Sequence, residues 1–380
     1  AAVANYVDLV DAQRSDGHWQ LGLADLESGE RLELKARTIV NAAGPYVDGL
    51  NSAWGVTTEH RIVYSKGIHL IVPRLTTTEH QRVLAFFDDS GRLFYVIPMG
   101  IRSVIGTTDT RTDDPRAGVT DDDRAFLLDQ INKRLDLPKP LTTDDVIAER
   151  CGVRPLVVPN SGGDRTDVDW TSLSRKHEIE VDRARSVISI FGGKLTDCLN
   201  VGEEVADAVE DLGLPLEKDT GTWYGEPTSE TRDVFYRQAR LMRLDDLRVR
   251  PDVEPLSDRL WRRYGRRAFA MLEAIRSDPS MGKDIFGGTD YLRVELYLAA
   301  STEMVTRLED FMRRRSKIEQ VVPNADLADT EGLREVCNIL FGAEAEAKLQ
   351  EFLAGPYGQP SPGQSVAAPS AAHTSDMRSG

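Results

Sequence analysis

The first 37 residues alternate apolar and polar side chains in three short runs. These runs are Tyr6–Val10, Trp19–Ala24 and Arg31–Lys35. Turn-forming residues separate them, so the pattern predicts a three-stranded β-meander. A short buried strand then leads from Thr38 towards Pro45, a residue that favours the first turn of a helix. Large side chains are missing from Ala42 to Gly44. A strand end that lies against a cofactor would need small residues at these positions. An ordinary tight turn explains the same small residues equally well.

From His60 to Thr110 the chain is again rich in β-branched and aromatic residues. This pattern predicts an antiparallel sheet that could cover a pocket. The predicted strands are one or two within 61–73, broken at Gly67, followed by Arg82–Phe87, Leu93–Pro98 and Ser103–Gly106. A further strand, Val146–Val153, leads into Arg154 and Pro155.

The pattern becomes helical after Gly213 and a linker over 214–227. Apolar residues then recur at helical spacing in five segments. The segments are Glu230–Met242, Leu256–Arg276, Tyr291–Ala300, Met304–Arg315 and Leu333–Leu353. One earlier helix, Asp121–Leu135, lies between the strands. Residues 159–175 have the composition of a loop, and residues 355–380 that of a disordered tail.

The stretch Ser186–Gly213 combines a buried strand, two glycines, Lys194 and an amphipathic helix that Thr196 or Asp197 could cap. Glycines allow close approach of the backbone to a flat ligand, and a helix N-terminus attracts an electron-rich group. The stretch is therefore either an ordinary strand-to-helix turn or part of a cofactor site. Spacing alone favours the ordinary turn.

Composition narrows the functional classes. The formal net charge of −15 and the isoelectric point near 5.0 argue against nucleic acid as a partner. Three widely spaced cysteines form neither a disulfide framework nor a metal-binding pattern. No apolar run approaches the ~20 residues of a membrane span. We expect a soluble or peripherally membrane-bound protein without a metal site.

Few side chains are suited to chemistry. His69 lies in a strand pattern, where a lone histidine is more often structural than catalytic. Lys66 and Arg154 stand near glycines, where a cation could face a pocket or simply be solvated. Thr108 and Asp109 follow a strand and could bind a ligand or start a turn. The two basic runs 262–267 and 313–315 are typical of solvated helix faces and could also attract anionic lipid.

Several short motifs, in order along residues 1–350, resemble the aerobic, FAD-dependent glycerol-3-phosphate dehydrogenases of the glycine and D-amino-acid oxidase superfamily. The motifs are VNAAGPYVD (40–48), SKGIHLIVPR (65–74), IGTTDT (105–110), GVRPL (152–156), FGGKLTD (191–197), RYGRRA (263–268), YLRVELYLAAS (291–301) and RLEDFMRRRSK (307–317). The resemblance implies an α/β (α+β) FAD-linked oxidoreductase fold of the D-amino-acid-oxidase type, truncated at the N-terminus, with a C-terminal all-α domain.

The resemblance also implies a division into domains. The FAD-binding domain comprises 1–59 and, after a return, 151–221. Residues 60–150 form a substrate-binding antiparallel sheet domain, 222–354 the helical domain and 355–380 the disordered tail.

Site residues follow from the same resemblance. The implied FAD-binding residues are Asn41, Ala42, Gly44, Gly192, Gly193, Lys194, Leu195 and Thr196. The implied substrate-binding residues are Lys66, Thr108, Asp109, Arg154 and Lys194. Arg154 offers a planar fork to a phosphate, and His69 is suited to removing the C2-hydroxyl proton as hydride leaves C2. His69 and Arg154 are therefore the expected catalytic pair.

The implied activity is oxidation of sn-glycerol 3-phosphate to dihydroxyacetone phosphate, with electrons passed through FAD to a membrane quinone. The implied location is cytoplasmic, peripheral to the inner face of the cell membrane, and a homodimer is left open. Two alternatives remain: an FAD-dependent oxidoreductase of the same superfamily acting on an amine or another 2-hydroxy acid, and a non-catalytic fragment.

Two departures from the family pattern bear on these expectations. After Lys194 the family often has a Thr-Thr-Tyr-Arg run, where this chain has Thr196, Asp197, Cys198 and Leu199. The family also begins with a βαβ unit carrying GxGxxG, and the sequence contains no GxGxxG. Because that turn holds the pyrophosphate in this fold, we expect the chain alone to be inactive.

Overall fold

The chain divides into two units, each assembled from three segments. The first comprises Ala1–Ile68, Thr108–Thr120 and Cys151–Tyr224, and the second comprises 69–107, 121–150 and 225–380. The computed structural model describes residues 2–75, 82–89, 91–160, 176–217, 227–247, 254–286, 289, 291–323, 326–327 and 331–355. The loop predicted for 159–175 lies almost wholly outside these residues, as do most of the predicted linker and the predicted tail.

Twelve strands lie in the described part of the chain: β1 (Val7–Ser15), β2 (His18–Asp25), β3 (Arg31–Ala36), β4 (Ile39–Asn41), β5 (His60–Pro73), β6 (Leu84–Phe87), β7 (Leu93–Met99), β8 (Arg102–Gly106), β9 (Thr110–Thr112), β10 (Ala148–Pro159), β11 (Glu178–Asp182) and β12 (Val187–Phe191). The described α-helices are α1 (Val47–Ala53), α2 (Asp121–Arg134), α3 (Cys198–Asp211), α4 (Ser229–Leu241), α5 (Leu256–Tyr264), α6 (Ala268–Ser277), α7 (Arg293–Thr302), α8 (Ile318–Val321), α9 (Glu331–Phe341) and α10 (Ala345–Ala354).

The first unit contains the predicted meander and a small mixed sheet. Strands β1, β2 and β3 are consecutive and antiparallel. The mixed sheet has the order β11-β12-β4, in which β12 runs parallel to β4. Trp19 lies on β2 and packs with Ile39 and Val187 in a buried cluster, and its indole N–H donates to the Arg185 carbonyl at 2.9 Å. This cluster joins the meander to the mixed sheet.

Two long strands, β5 and β10, differ from the sequence prediction. The expected break at Gly67 is wrong, because β5 runs unbroken from His60 to Pro73 and is buried on both faces over its central part. The expected end of the next strand at Val153 is also wrong, because β10 continues to Pro159. Both strands belong to a six-stranded sheet of order β10-β5-β8-β7-β6, with β9 paired to β5.

In the second unit, the antiparallel meander β6–β7–β8 pairs with the C-terminal half of β5. Helix α2 buries Leu127, Leu128 and Ile131. The tip of the meander is tied to the helices, because Arg102 Nε donates to the Val321 carbonyl at 3.0 Å.

The helices of the second unit are shorter than the apolar pattern predicted. The segment Leu256–Arg276 is two helices, α5 and α6, because Gly265 adopts φ +48°. The segment Leu333–Leu353 is likewise broken at Gly342, where φ is +55°. The segment Met304–Arg315 is helical only from Leu308 onwards, and Asp310–Arg315 within it forms a π-helical turn. Spacing of apolar residues continues across such breaks, so it cannot locate them.

Two apolar clusters stabilise the helices. Phe235 and its neighbours fill the first cluster, in α4–α6, with the Phe235 ring centroid 5.1 Å from that of Trp261. The second cluster surrounds Phe311 and Met312 and includes residues of α7, α9 and α10. None of the helices in the described residues is both long and apolar enough to cross a bilayer.

Candidate flavin- and substrate-binding site

The carboxyl ends of β4 and β12 meet at one edge of the mixed sheet. Asn41 is paired with Ser189 in parallel register, so the residues after each strand emerge on the same side. Ala42 is exposed there, and a Cβ on Gly44 would meet no atom within 4 Å. In α/β sheets, ligands bind outside the carboxyl ends of parallel strands. This edge is therefore the part of the first unit best placed for a cofactor.

The Asn41 side chain is committed to the protein. It is 2% exposed, and its Nδ2 donates to the Val47 carbonyl at 3.1 Å and to Asn51 Oδ1 at 2.8 Å. Its Oδ1 accepts the Ala43 N–H at 3.3 Å. The asparagine thus fixes the turn between β4 and α1 and leaves the backbone of that turn at the sheet edge.

The two glycines after β12 have a packing reason of their own. Both adopt positive φ, +63° at Gly192 and +95° at Gly193. A Cβ at Gly192 would lie 2.5 Å from Val157 Cγ2, and one at Gly193 would lie 3.2 Å from His177 Cβ. The glycines therefore let the turn fold tightly against neighbouring side chains of its own unit.

The turn continues into the N-terminus of α3 through a 3₁₀ turn, Leu195–Asp197. Lys194, Leu195 and Thr196 are all exposed, and Leu195 is 92% exposed. Asp197 occupies the N-cap position of α3, as the sequence allowed, but no side-chain cap hydrogen bond forms there or at the start of the 3₁₀ turn. Uncapped N–H groups beside an exposed apolar side chain suit a flat ring with an electron-rich edge, so the residues present fit a flavin.

Asp197 has a different partner, which the sequence did not reveal. His177 is 4% exposed, and its Nδ1 lies 2.6 Å from Asp197 Oδ2, while Nε2 lies 3.2 Å from Glu204 Oε1. Burial lowers the pKa of His177, but the two carboxylates outweigh burial and the net shift is upward. The hydrogen bond from His177 is the main cause that lowers the pKa of Asp197. This group fixes the start of α3.

A second group of predicted residues converges on Arg154. We call Ser65, Lys66, Gly67, Thr108, Asp109 and Arg154 the Arg154 cluster. Arg154 Nη1 lies 3.4 Å from the Thr108 carbonyl, 3.4 Å from Asp109 Oδ1 and 3.5 Å from Ser65 Oγ. Its Nη2 lies 3.4 Å from the same Thr108 carbonyl. These are long contacts for charged groups, and 27% of the side chain is exposed.

Gly67 is required by this arrangement. A Cβ at that position would overlap the Arg154 guanidinium, with Nη2, Cζ and Nη1 its three nearest atoms. The glycine that was expected to break the strand instead gives the guanidinium a flat place against β5.

The other members of the Arg154 cluster are engaged in the protein. Lys66 is 7% exposed and donates from Nζ to the Gly118 carbonyl at 3.3 Å. Thr108 Oγ1 accepts the Ile68 N–H at 3.1 Å. Asp109 accepts a short hydrogen bond from the Ser65 hydroxyl in addition to its contact with Arg154. Four of the five predicted substrate-binding residues, Lys66, Thr108, Asp109 and Arg154, therefore belong to one group in the first unit.

The remaining two predicted residues belong to other parts of the fold. Lys194 lies in the first unit, exposed at the turn after β12. His69 is half-buried in the part of β5 that belongs to the second unit, where it pairs with Gly106 of β8. Among the described residues, no group of three or more His, Cys, Asp and Glu side chains is arranged to hold a metal ion.

Two family models match the chain. Residues 1–178 match a model described as FAD dependent oxidoreductase. Residues 252–346 match the C-terminal domain of alpha-glycerophosphate oxidase. The two matches together include the mixed sheet's β4, the Arg154 cluster and most of the helices.

Curated relatives are named for one activity. The chain is 28% identical over 323 residues to a glycerol-3-phosphate dehydrogenase of Pseudomonas tolaasii, covering 81% of this chain and 59% of the relative. It is 27% identical over 344 residues to glycerol-3-phosphate dehydrogenase 2 of Mycobacterium tuberculosis (strain ATCC 25618 / H37Rv), covering 88% and 56%. The chain thus spans little more than half the length of these relatives.

A solved structure has the same fold. The glycerol-3-phosphate dehydrogenase from Bacillus halodurans, complexed with FAD, superposes with a TM-score of 0.66 at 23% identity, covering 92% of this chain and 68% of that chain. This likeness and the two family models confirm the predicted oxidase-type fold with a C-terminal helical domain.

Proposed function

We propose that this chain is the flavin- and substrate-contacting part of an enzyme that oxidises sn-glycerol 3-phosphate to dihydroxyacetone phosphate, because residues 1–178 match the model of an FAD dependent oxidoreductase and residues 252–346 match that of the C-terminal domain of alpha-glycerophosphate oxidase. The proposal includes a membrane quinone as the electron acceptor and a peripheral position on the cytoplasmic face of the membrane. The names of the curated relatives support the choice of substrate.

The observation that carries the proposal is the placement of Arg154. Its guanidinium lies against β5 at Gly67 and is held by contacts of 3.4–3.5 Å that leave 27% of the side chain exposed. A planar fork in such a position can donate two parallel hydrogen bonds to two oxygens of a phosphate, at the shorter distances typical of charge-assisted pairs. Asp109 and the Thr108 carbonyl would then orient the guanidinium from behind.

The proposed flavin contacts lie at the edge of the mixed sheet where the carboxyl ends of β4 and β12 meet. The backbone at Ala42 and Gly44 and the turn Gly192–Thr196 would hold FAD, with Asn41 fixing the first of these turns through its own hydrogen bonds. Lys194 and the uncapped N-terminus of α3 would favour a negatively charged edge of the ring. When bound, FAD supplies the acceptor for the hydride from C2 of the substrate.

Proton transfer is assigned to His69. An imidazole titrates near neutral pH and can take the C2-hydroxyl proton while the C2 hydride leaves. Lys66 and Lys194 are assigned to neutralise part of the phosphate charge. Lys66 would do so after a small rotation away from the Gly118 carbonyl.

The roles of Arg154 and His69 are separable by experiment. The test uses FAD-loaded enzyme in which a GxGxxG-bearing βαβ unit is joined to this chain. There, Arg154→Ala should lower kcat/KM for sn-glycerol 3-phosphate by an amount that corresponds to a loss of about 2–4 kcal/mol in transition-state stabilisation. Arg154→Lys should recover only part, because an ammonium lacks the planar fork. His69→Ala should slow turnover about 10²-fold, with a smaller loss at high pH. Rates of flavin bleaching by stopped flow measure all three.

A substrate without phosphate is the control. With glycerol, the Arg154→Ala loss should nearly disappear, whereas the His69→Ala loss should persist. If Arg154→Ala reduces the rate equally with both substrates, Arg154 does not bind the substrate phosphate. If an amine or a 2-hydroxy acid bleaches the flavin and glycerol 3-phosphate does not, the proposed substrate is wrong.

A further inference from the structure

The second unit contains a cavity that the proposed reaction does not use. Its volume is about 700 Å³, and it lies between the turn Pro98–Ile101 of the antiparallel sheet and the helices that follow. Seven cationic side chains and three carboxylates line it. A positive excess of this size stands out in a chain whose net charge is −15. We call this space the cationic cavity.

The two basic runs of the sequence supply five of the seven cations, and Arg259 and Lys317 lie just outside the runs. Arg259, Arg262, Arg263 and Arg267 come from α5 and the turn that follows it. Arg314, Arg315 and Lys317 come from the π-helical turn and the residues after it. The runs that the sequence pattern interprets as solvated helix faces therefore meet around one space that is open to solvent.

The lining carboxylates compensate only part of this charge. Glu295 is 2% exposed and serves both Arg259, at 2.8 Å, and Arg263, at 3.3 Å. Glu303 serves both Arg267, at 3.2 Å, and Arg315, at 3.4 Å. Arg262 pairs with Glu254, and Arg314 pairs with Glu309 and Asp310 next to the lining. Seven lining cations against three lining carboxylates still leave the lining with a net positive charge.

Arg259 retains an unused donor at the cavity. The residue is 4% exposed, and its Nη2 is bonded to Glu295. Its Nη1 is buried and has no hydrogen-bond partner among the described residues. A buried, unsatisfied donor on a charged group is costly, so such an atom in a folded protein calls for a partner.

Lys317 is a second cation of the lining whose charge no carboxylate balances among the described residues. No ion pair to its ammonium group is found among the described residues, in contrast to the arginines around it. Burial lowers the pKa of Lys317, and the charges of Arg150, Arg263 and Arg262 lower it further. An anion in the cavity would relieve both the repulsion at Lys317 and the unmet donor of Arg259.

We propose that the cationic cavity is a binding site for a phosphate group, separate from the Arg154 cluster and independent of the reaction assigned to it. Arginine forks and a lysine point charge are the side chains that bind phosphate in proteins. A volume of about 700 Å³ accommodates a small phosphorylated molecule, and the same lining would accept the headgroup of an anionic phospholipid.

The test uses the full chain and two probes that present phosphate in different ways. Pyrophosphate binding is measured by isothermal titration. Vesicle binding is measured by sedimentation with phosphatidylcholine alone and with phosphatidylglycerol added. The variants Lys317→Ala and Arg262→Ala change two exposed lining residues, so neither depends on removing the buried Arg259. Lys283→Ala, an exposed lysine outside the lining, is the matched control.

We expect each lining variant to weaken the binding of at least one probe about tenfold, the usual scale for one charge-assisted contact, and Lys283→Ala to leave it unchanged. Loss confined to phosphatidylglycerol vesicles identifies a lipid headgroup, and loss with pyrophosphate identifies a free phosphate. The proposal is overturned if neither lining variant affects either probe, or if Lys283→Ala weakens binding equally. It is also overturned if pyrophosphate binding is lost only in Arg154→Ala, since that result places the anion in the Arg154 cluster.

Discussion

The two units each hold an arginine beside a carboxylate, and they hold it differently. Arg154 is 3.4 Å from Asp109 and its side chain is 27% exposed. Arg259 is 2.8 Å from Glu295 and its side chain is 5% exposed. A long, half-open contact positions a guanidinium while leaving it able to bind something else. The short, buried contact of Arg259 is part of the fold even though its Nη1 still lacks a partner, because breaking the pair strands a charge away from water.

The largest difference should appear in stability. Glu295→Ala leaves Arg259 buried without its partner and also removes the acceptor of the Tyr264 hydroxyl, at 2.8 Å. We expect it to lower the free energy of unfolding by about 3–5 kcal/mol. Asp109→Ala should cost no more than about 1–2 kcal/mol, because water can reach Arg154. Denaturant titration of both variants measures the difference, and equal losses would refute the contrast drawn between the two arginines.

The next prediction concerns placement of the guanidinium without a change of charge. In Gly67→Ala, the added methyl group should push the Arg154 side chain off β5 and leave the strand itself intact. We expect kcat/KM for glycerol 3-phosphate to fall on the order of 10²-fold, as a displacement of about 1 Å can cause. A phosphate-free substrate should be much less affected.

Gly152→Ala is the matched control for this variant. Gly152 lies on β10, and a Cβ there would meet no atom within 4 Å. If both substitutions reduce activity alike, or if Gly67→Ala unfolds the protein, then Gly67 does not act through Arg154.

The smallest expected effect concerns the contacts of His177 with Asp197 and Glu204, whose contribution to stability depends on pH. The raised pKa of His177 means that the folded state holds its proton more tightly than the unfolded state does. The stabilisation is fully present below the unfolded pKa of about 6.5 and is lost as pH rises through the folded value. For one proton, the slope cannot exceed about 1.4 kcal/mol per pH unit.

His177→Gln supplies the comparison for that slope. Unfolding midpoints from pH 6 to pH 9 should fall more steeply in the native protein than in His177→Gln, and the two curves should converge at high pH. Parallel curves would show that the contacts with Asp197 and Glu204 do not depend on the charge of His177.

The sequence predicts which segments form strands and helices more reliably than it predicts where those strands and helices end. Strands and helices with clear periodicity occur where expected, because the period is set by the burial of one face. The breaks at Gly265 and Gly342 were missed, since a glycine inside an apolar pattern gives no sign of its φ. Gly67 was misjudged in the opposite sense, because its role depends on Arg154, which is 87 residues away in the chain.

The candidate site shows the same limit. Resemblance to a family pointed to Arg154, Thr108 and Asp109, and the structure brings them together. His177 had no such signal, because its partners lie 20 and 27 residues further along the chain on another element. A carboxylate–imidazole pair can be recognised only when the fold has placed both members.

The parallel pairing of β4 with β12 has a consequence for synthesis on the ribosome. Ser189, the partner of Asn41, is made 148 residues later. At translation rates of about 5–20 residues per second, β4 therefore waits roughly 7–30 s for its neighbour. During that interval an apolar strand with open backbone groups is available to other chains, which is the situation chaperones exist to manage. The yield of folded protein should thus depend on how quickly residues 42–189 are translated.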